Sequence, residues 1–419
     1  MPKAAKTPLS ALFALNKPTG IPSMTLLNRL QPLFSASALF RDPNKPQQDD
    51  SGKRGGRGGR RGGRGRRDDK VKMGQGGTLD PLADGVLVVG TNAATKSLSR
   101  FLDCTKEYRA IGLVGCSTDS YDSQGKRVRT CPWDGVTRQA VEDALARFRG
   151  EIEQTPPIYS ALKMDGKPLY EYARTNTPLP RPIPPRKVTV FSLELVRFVD
   201  GAEHEYAWPE EELDKAARKE LERLEKMVKE GRTEVPKEDE VAAASEPAPT
   251  PTEPTARPPI FEIKMTVSSG TYVRSIVHDL GVALGSAAHV VKLTRTRQGE
   301  FVLEPPEAST VLSVGQEAAP SKAAEGAVEG GEGEGAKVDG EAPAPAAAPV
   351  EAHEPAPAAP APAPVELDTF TGGCVEWTVL EAALAAQDEA KKRGTEVEGR
   401  DADGWLEWER DLLSKCKEV

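Results

Sequence analysis

Aromatic residues make up only 5% of this 419-residue chain, and no stretch reaches the roughly 20 consecutive apolar residues that a membrane-spanning helix needs. Neither an apolar N-terminal leader nor a membrane anchor is expected. Cysteine is also sparse: Cys104, Cys116, Cys131, Cys374 and Cys416 form no C-x-x-C pair and leave an odd thiol in any disulfide scheme. That usage points to a reducing, intracellular compartment and to no structural zinc. The spacing G-x-x-x-x-G-K-[ST] is missing, which speaks against a P-loop nucleotide cradle.

What is plentiful is segregated. Gly and Pro, 38 and 36 residues, are dense in blocks unable to form a core, and charge is unevenly spread along the chain, so the net charge of -8 hides local patches. Residues 53–67 are all Gly, Lys or Arg, with eight cations. They read as a solvated insertion, or as a polyanion-binding arm or nuclear signal. No aromatic occurs between Trp208 and Phe261; the stretch opens Glu/Lys/Arg-rich, as a solvated helix, and closes Pro-rich over 245–259, as a flexible linker. A third such block, 304–365, is an Ala/Pro/Glu/Gly spacer.

Ordered structure is therefore expected at about 9–40, 71–208, 260–303 and 366–419. Phe261, Ile263, Met265 and Val267 alternate with polar residues, and Thr189, Phe191, Leu193 and Leu195 do the same, each the period of a half-buried strand. The two form a hairpin whose tip carries the acidic insertion, since such tips tolerate added chain. Val273, Ile276, Val277, Leu280 and Leu284 make a helical stripe that Gly285 ends, and Thr137 caps a second helix through Val141, Ala144, Leu145 and Phe148. Strands and helices mix without a regular βαβ beat. The fold class is α+β, with a mixed, largely antiparallel sheet, flanking helices and long disordered low-complexity insertions.

The segment GQGGTLDPLADG, residues 74–85, precedes the apolar run Val86-Leu87-Val88-Val89. Its glycines and Pro81 fix a tight loop ahead of a buried strand, with Asp80 at the tip. Alone this is an ordinary turn. It resembles the catalytic loop of the TruB family of tRNA pseudouridine synthases, and further blocks appear in that family's order: LNKPTG from Leu15, KEYR from Lys106, TDSYD from Thr118, PIYSALK from Pro157, GKPLYEYAR from Gly166 and SGTYVR from Ser269. The resemblance implies the pseudouridine synthase fold and isomerisation, without cofactor or metal, of a uridine in the TΨC loop of tRNA, conventionally position 55. Asp80 is then the catalytic carboxylate, as nucleophile or as stabiliser of a cationic sugar. Arg274 pairs with it, and Tyr108 stacks on the flipped base and assists proton removal from C5. Gln75, Lys96, Asp122, Leu293 and Lys17 fall where the family surrounds the pocket or touches RNA. His278 and His289 read as helix-surface residues, because the chemistry needs no histidine base.

Two departures qualify the match. Gln75 stands where the family usually has histidine, which bears on substrate geometry, and residues 366–419 show no clear RNA-binding PUA pattern. The expected organisation is a catalytic domain over 1–303, with disordered insertions at about 41–70 and 209–259, then a linker over 304–365. Residues 366–419 would form a C-terminal segment that docks on the body through Trp405, Trp408, Leu412 and Leu413. The insertions suit a eukaryotic, fungal-type member acting as a monomer on tRNA and some mRNA, in nucleus or mitochondrion. Two alternatives stay open: a guide-RNA-dependent rRNA enzyme, and a tRNA-binding folding chaperone without chemistry.

Overall fold

A computed structural model describes residues 8–41, 70–175, 177, 179–219, 221, 257–303 and 372–419. The Gly/Arg segment, most of the acidic and Pro-rich insertion, and the spacer over 304–365 lie outside the described residues. The first half of the chain supplies β1 (Ala11–Lys17), α1 (Ser23–Ala36), β2 (Met73–Gln75), β3 (Asp84–Thr91), α2 (Ser99–Asp103), β4 (Lys106–Val114), β5 (Cys116–Thr118) and β6 (Arg127–Thr130). Then come α3 (Arg138–Leu145), β7 (Gly150–Gln154), β8 (Lys163–Met164), β9 (Lys167–Pro168), α4 (Leu169–Arg174), β10 (Arg186–Val199), β11 (Ile260–Val267) and α5 (Val273–Ala283). The chain closes with β12 (Ala288–Gln298), β13 (Phe301–Val302), β14 (Cys374–Glu376), α6 (Trp377–Arg393), α7 (Glu407–Lys415) and β15 (Lys417–Glu418).

One sheet runs in the order β14-β1-β3-β12-β4-β11-β10-β7, with β2, β13 and β15 on its borders. Only β1–β14 and β12–β3 pair in parallel; the other pairings are antiparallel, so the sheet is mixed and largely antiparallel, as the sequence implied. Its centre follows from period-two patterning. Phe13, Leu15, Leu87 and Val89 point into one core with Leu30 and Phe34 of α1 and Ile276 and Leu280 of α5. Leu12, Ala14, Val86 and Val88 point into a second core with Ala94, Leu98 and Phe101. The unbroken run Val86 to Val89 is thus a strand covered on both faces, which is why it does not alternate.

The β10–β11 hairpin forms as expected and brackets the insertion. Its inward set differs on β10: Val188, Val190 and Leu193 are buried, whereas Thr189 and Phe191 are half-buried. A bulge between Val190 and Ser192 adds one residue and reverses the phase, so that Leu193 returns to the core. The two histidines also correct the sequence reading. His289 is fully buried on strand β12, where its Nδ1 lies 2.9 Å from the Cys116 carbonyl, and His278 on α5 is 8% exposed and stacks on Tyr121.

The C-terminal segment packs on β1 and α1. β14 and β15 extend the sheet beside β1, and Trp408 of α7 sits 5.2 Å from the Phe34 ring and 6.4 Å from that of Phe40. Leu412 is fully buried, while Trp405 and Leu413 are only half-buried. Glu409, almost fully buried in the first turn of α7, accepts from the Ser37 hydroxyl at 2.6 Å and from the Leu406 amide at 2.9 Å.

Candidate active site

Asp80 sits in the loop over residues 76–83 that joins β2 to β3. The turn is built by the sequence around it: Leu79 anchors in the core, and the Ala83 amide donates back to the Asp80 carbonyl at 3.2 Å. Neighbouring elements then take up the loop's remaining polar groups. The Ser23 hydroxyl at the start of α1 donates to the Leu79 carbonyl (2.9 Å) and accepts from its amide (3.0 Å). The Thr19 hydroxyl donates to the Leu82 carbonyl at 2.6 Å, and the Gly20 amide donates to the Pro81 carbonyl at 2.7 Å. Lys17 reaches in from β1, with Nζ donating to the carbonyls of Pro18, Pro81 and Ala83 at 2.8, 3.3 and 2.6 Å. Burial pulls its ammonium down to about 8, against the charges of Asp84 and Asp80, which favour it.

Arg274 enters from the first turn of α5. Its side chain is 3% exposed and that of Asp80 is 35% exposed, so a buried guanidinium holds a carboxylate at the surface of the fold. The pairing is not the two-pronged fork that an arginine can offer. Nε donates to Asp80 Oδ2 at 2.8 Å, while one terminal nitrogen donates to the Ser120 carbonyl at 2.6 Å and the other to the Tyr159 carbonyl at 2.9 Å. Arg274 therefore ties together the Asp80 loop, the TDSYD turn and the PIYSALK segment. Asp122 Oδ2 lies 3.7 Å from the same guanidinium, and its Oδ1 accepts from the Ser120 hydroxyl at 2.7 Å. Burial pushes the Asp122 carboxyl up, with the Arg274 charge opposing. Asp119 is also raised by burial; it accepts from the Lys126 amide at 2.8 Å and from the Tyr159 hydroxyl at 3.4 Å.

The start of α5 is itself fixed from β7. Gln154, almost fully buried, accepts from the Tyr272 amide at 2.7 Å and donates to the Tyr272 carbonyl at 2.9 Å; the Ser275 hydroxyl donates to the Thr155 carbonyl at 2.9 Å. These bonds set the angle at which Arg274 leaves the helix.

The structure thus brings Asp80, Arg274, Asp122 and Lys17 into one network. Gln75 ends β2 at the head of the loop and donates to the Thr78 hydroxyl at 3.1 Å. Tyr108 and Leu293 stand on the adjacent strands β4 and β12, 8% and 5% exposed, within the main core. Lys96 is exposed on the turn Asn92–Leu98 and lies outside this network among the described contacts. Sequence reasoning passed over Thr19, Ser23, Gln154 and Tyr159. Thr19 and Tyr159 lie inside quoted blocks and Ser23 and Gln154 just outside them, which is their only signal, because a lone polar residue reads as surface until its partner is known. With Oδ2 held by Arg274, the second oxygen of Asp80 takes no hydrogen bond among the described contacts. A carboxylate so held can attack an electrophilic carbon or stabilise positive charge on it.

Comparison with known proteins places the chain in a family. Residues 66–207 match the model of the TruB family pseudouridylate synthase N-terminal domain. The chain is 41% identical over 332 residues to tRNA pseudouridine synthase 4 of Schizosaccharomyces pombe, covering 70% of this chain and 79% of that protein. It is 36% identical over 323 residues to the Saccharomyces cerevisiae protein of the same name, covering 71% and 78%. It is 32% identical over 296 residues to the Homo sapiens pseudouridylate synthase TRUB1, covering 71% of this chain and 63% of that one. A relative this similar over most of its own length shows that the chain belongs to the TruB family of pseudouridylate synthases.

Proposed function

We propose that this protein isomerises a uridine of the tRNA TΨC loop to pseudouridine, with Asp80 as the catalytic carboxylate. The observation that carries the reading is the Asp80–Arg274 pair, in which a buried guanidinium presents a partly exposed carboxylate whose second oxygen takes no hydrogen bond among the described contacts. The names of the fungal relatives, tRNA pseudouridine synthase 4, support the choice of tRNA.

In this mechanism the glycosidic C1'–N1 bond breaks, with Asp80 attacking C1' to form an ester or stabilising the sugar cation. The uracil turns over and a C1'–C5 bond forms, releasing the carboxylate where it had bonded; the C5 proton is then lost while N1 gains one. A stacked uridine cannot reach Asp80, so the base must leave its loop. Tyr108 is the residue assigned to stack on that base and to assist the proton transfer at C5. Asp122 tunes the placement of Arg274 from its far side, and Lys17 holds the loop. Gln75, at the head of the loop, contacts RNA beside the flipped nucleotide, and Leu293 closes the pocket floor. The reading takes the enzyme to act as a monomer. The reading extends to messenger RNAs that present the same loop, and the cation-rich segment 53–67 supports a nuclear site of action. The test is to map pseudouridine in tRNA incubated with the purified protein. A single new site in the TΨC loop is expected; modification elsewhere, or none, would refute the assignment.

A further inference from the structure

We propose that Arg295 and Gln298, both on β12, are positioning residues that hold the entering limb of the Asp80 loop. The inference rests on the reading of that loop as catalytic. Arg295 is 1% exposed, and its Nε donates to the Val86 carbonyl at 2.7 Å while a terminal nitrogen donates to the Gly77 carbonyl at 3.1 Å. Gln298 is fully buried and donates from Nε2 to the Gly76 carbonyl at 2.7 Å and to the Phe101 carbonyl at 3.1 Å. Together they grip residues 76 and 77, three to four positions before Asp80. Lys17 grips residues 81 and 83 on the other side. The carboxylate therefore stands between two clamps drawn from different strands.

Two glycines show that the contact is built closely. β12 meets β3 with Arg295 beside Gly85, where φ is +94° and a Cβ would come within 2.3 Å of the Arg295 carbonyl oxygen. At Gly77, φ is +140° and a Cβ would lie 3.2 Å from Gln298 Nε2, so a side chain there would press on the clamp. Among the described ion pairs Arg295 has no carboxylate partner. A buried cation is costly where apolar packing would fill the same space, so its presence here points to the carbonyls that it orders. Those carbonyls belong to the loop that aims Asp80.

The test uses the full-length protein carrying Arg295→Lys or Gln298→Met. Lysine keeps the charge but lacks the planar fork that serves Gly77 and Val86 at once. Methionine keeps the length of Gln298 and removes its donor. Hydrogen exchange at residues 76–83 reads the clamp without any substrate. The saturated single-turnover rate on tRNA, beside a binding titration, reads its consequence. Each variant should speed exchange in the loop alone and leave tRNA affinity unchanged, and Arg295→Lys should lower the saturated rate by about a hundredfold, the effect of roughly 1 Å of misplacement. Loop exchange equal to wild type, or exchange raised equally through β4 and β11, would overturn the proposal. Should Arg295→Lys fail to fold, Gln298→Met decides by the same two readings. A wild-type protein inactive on tRNA would defeat the catalytic reading, and the exchange result would still judge the clamp.

Discussion

At the scale of single residues, the geometry assigns Arg274 three partners rather than one. Its nitrogens serve Asp80, Ser120 and Tyr159, with Asp122 alongside. A lysine ammonium can reach one of these points but cannot span all three, so charge alone does not reproduce the arrangement. Arg274→Lys should therefore leave tRNA binding intact and lower the saturated single-turnover rate by about a hundredfold or more, as removal of a preorganised donor does. A rate near wild type would show that the carboxylate is aimed by other groups. Asp122→Asn keeps the Ser120 contact but removes the negative charge 3.7 Å from the guanidinium. It should slow the same step by a smaller factor, of order tenfold, again read in single turnover. Asp80 and Arg274 were legible in the sequence because they sit in blocks that resemble those of a known family. Arg295, Gln298 and Gln154 were not: each acts through a backbone carbonyl or amide distant in sequence, and neither periodicity nor composition encodes such a partner.

Among the secondary-structure elements, periodicity served best where one face meets a core and the ladder is regular. The stripe of α5 and the alternation of β11 were readable for that reason, and the helix ends in the left-handed Gly285 that the sequence suggested. It failed on β10, where the bulge shifts the phase, and on β12, whose buried set includes His289, Arg295 and Gln298 among apolar residues. His289 gives that strand a measurable signature. Burial drops its pKa from the ordinary 6.5 to about 4, so between these values the unfolded chain binds a proton that the folded chain refuses. Stability should then fall as pH drops through that window, by about 3 kcal/mol in all from this residue. His289→Leu should flatten that part of the stability–pH curve in chemical denaturation; an unchanged slope would mean that the ring is protonated in the fold.

Across the whole molecule, the C-terminal segment and the rest of the described fold share one sheet, with β14 and β15 pairing along the edge of the strand that carries Lys17. The apolar face of α7 was visible in Trp408 and Leu412, but its target, Phe34 and Phe40, was not, since contacts across more than 360 residues leave no local pattern. Trp408→Ala should lower stability by about 3–5 kcal/mol, seen as a fall in Tm, while activity well below that Tm survives. Loss of activity without loss of stability would give the segment a direct part in the reaction. The chemistry of the whole molecule turns on Asp80. Its most direct test sets wild type beside Asp80→Asn in single turnover on a tRNA transcript, with affinity measured in parallel. Both proteins should bind the transcript equally, and only wild type should form pseudouridine. Product formation by Asp80→Asn within about tenfold of the wild-type rate, a difference of only about 1.4 kcal/mol in the barrier, would contradict the assignment of this carboxylate to the chemistry.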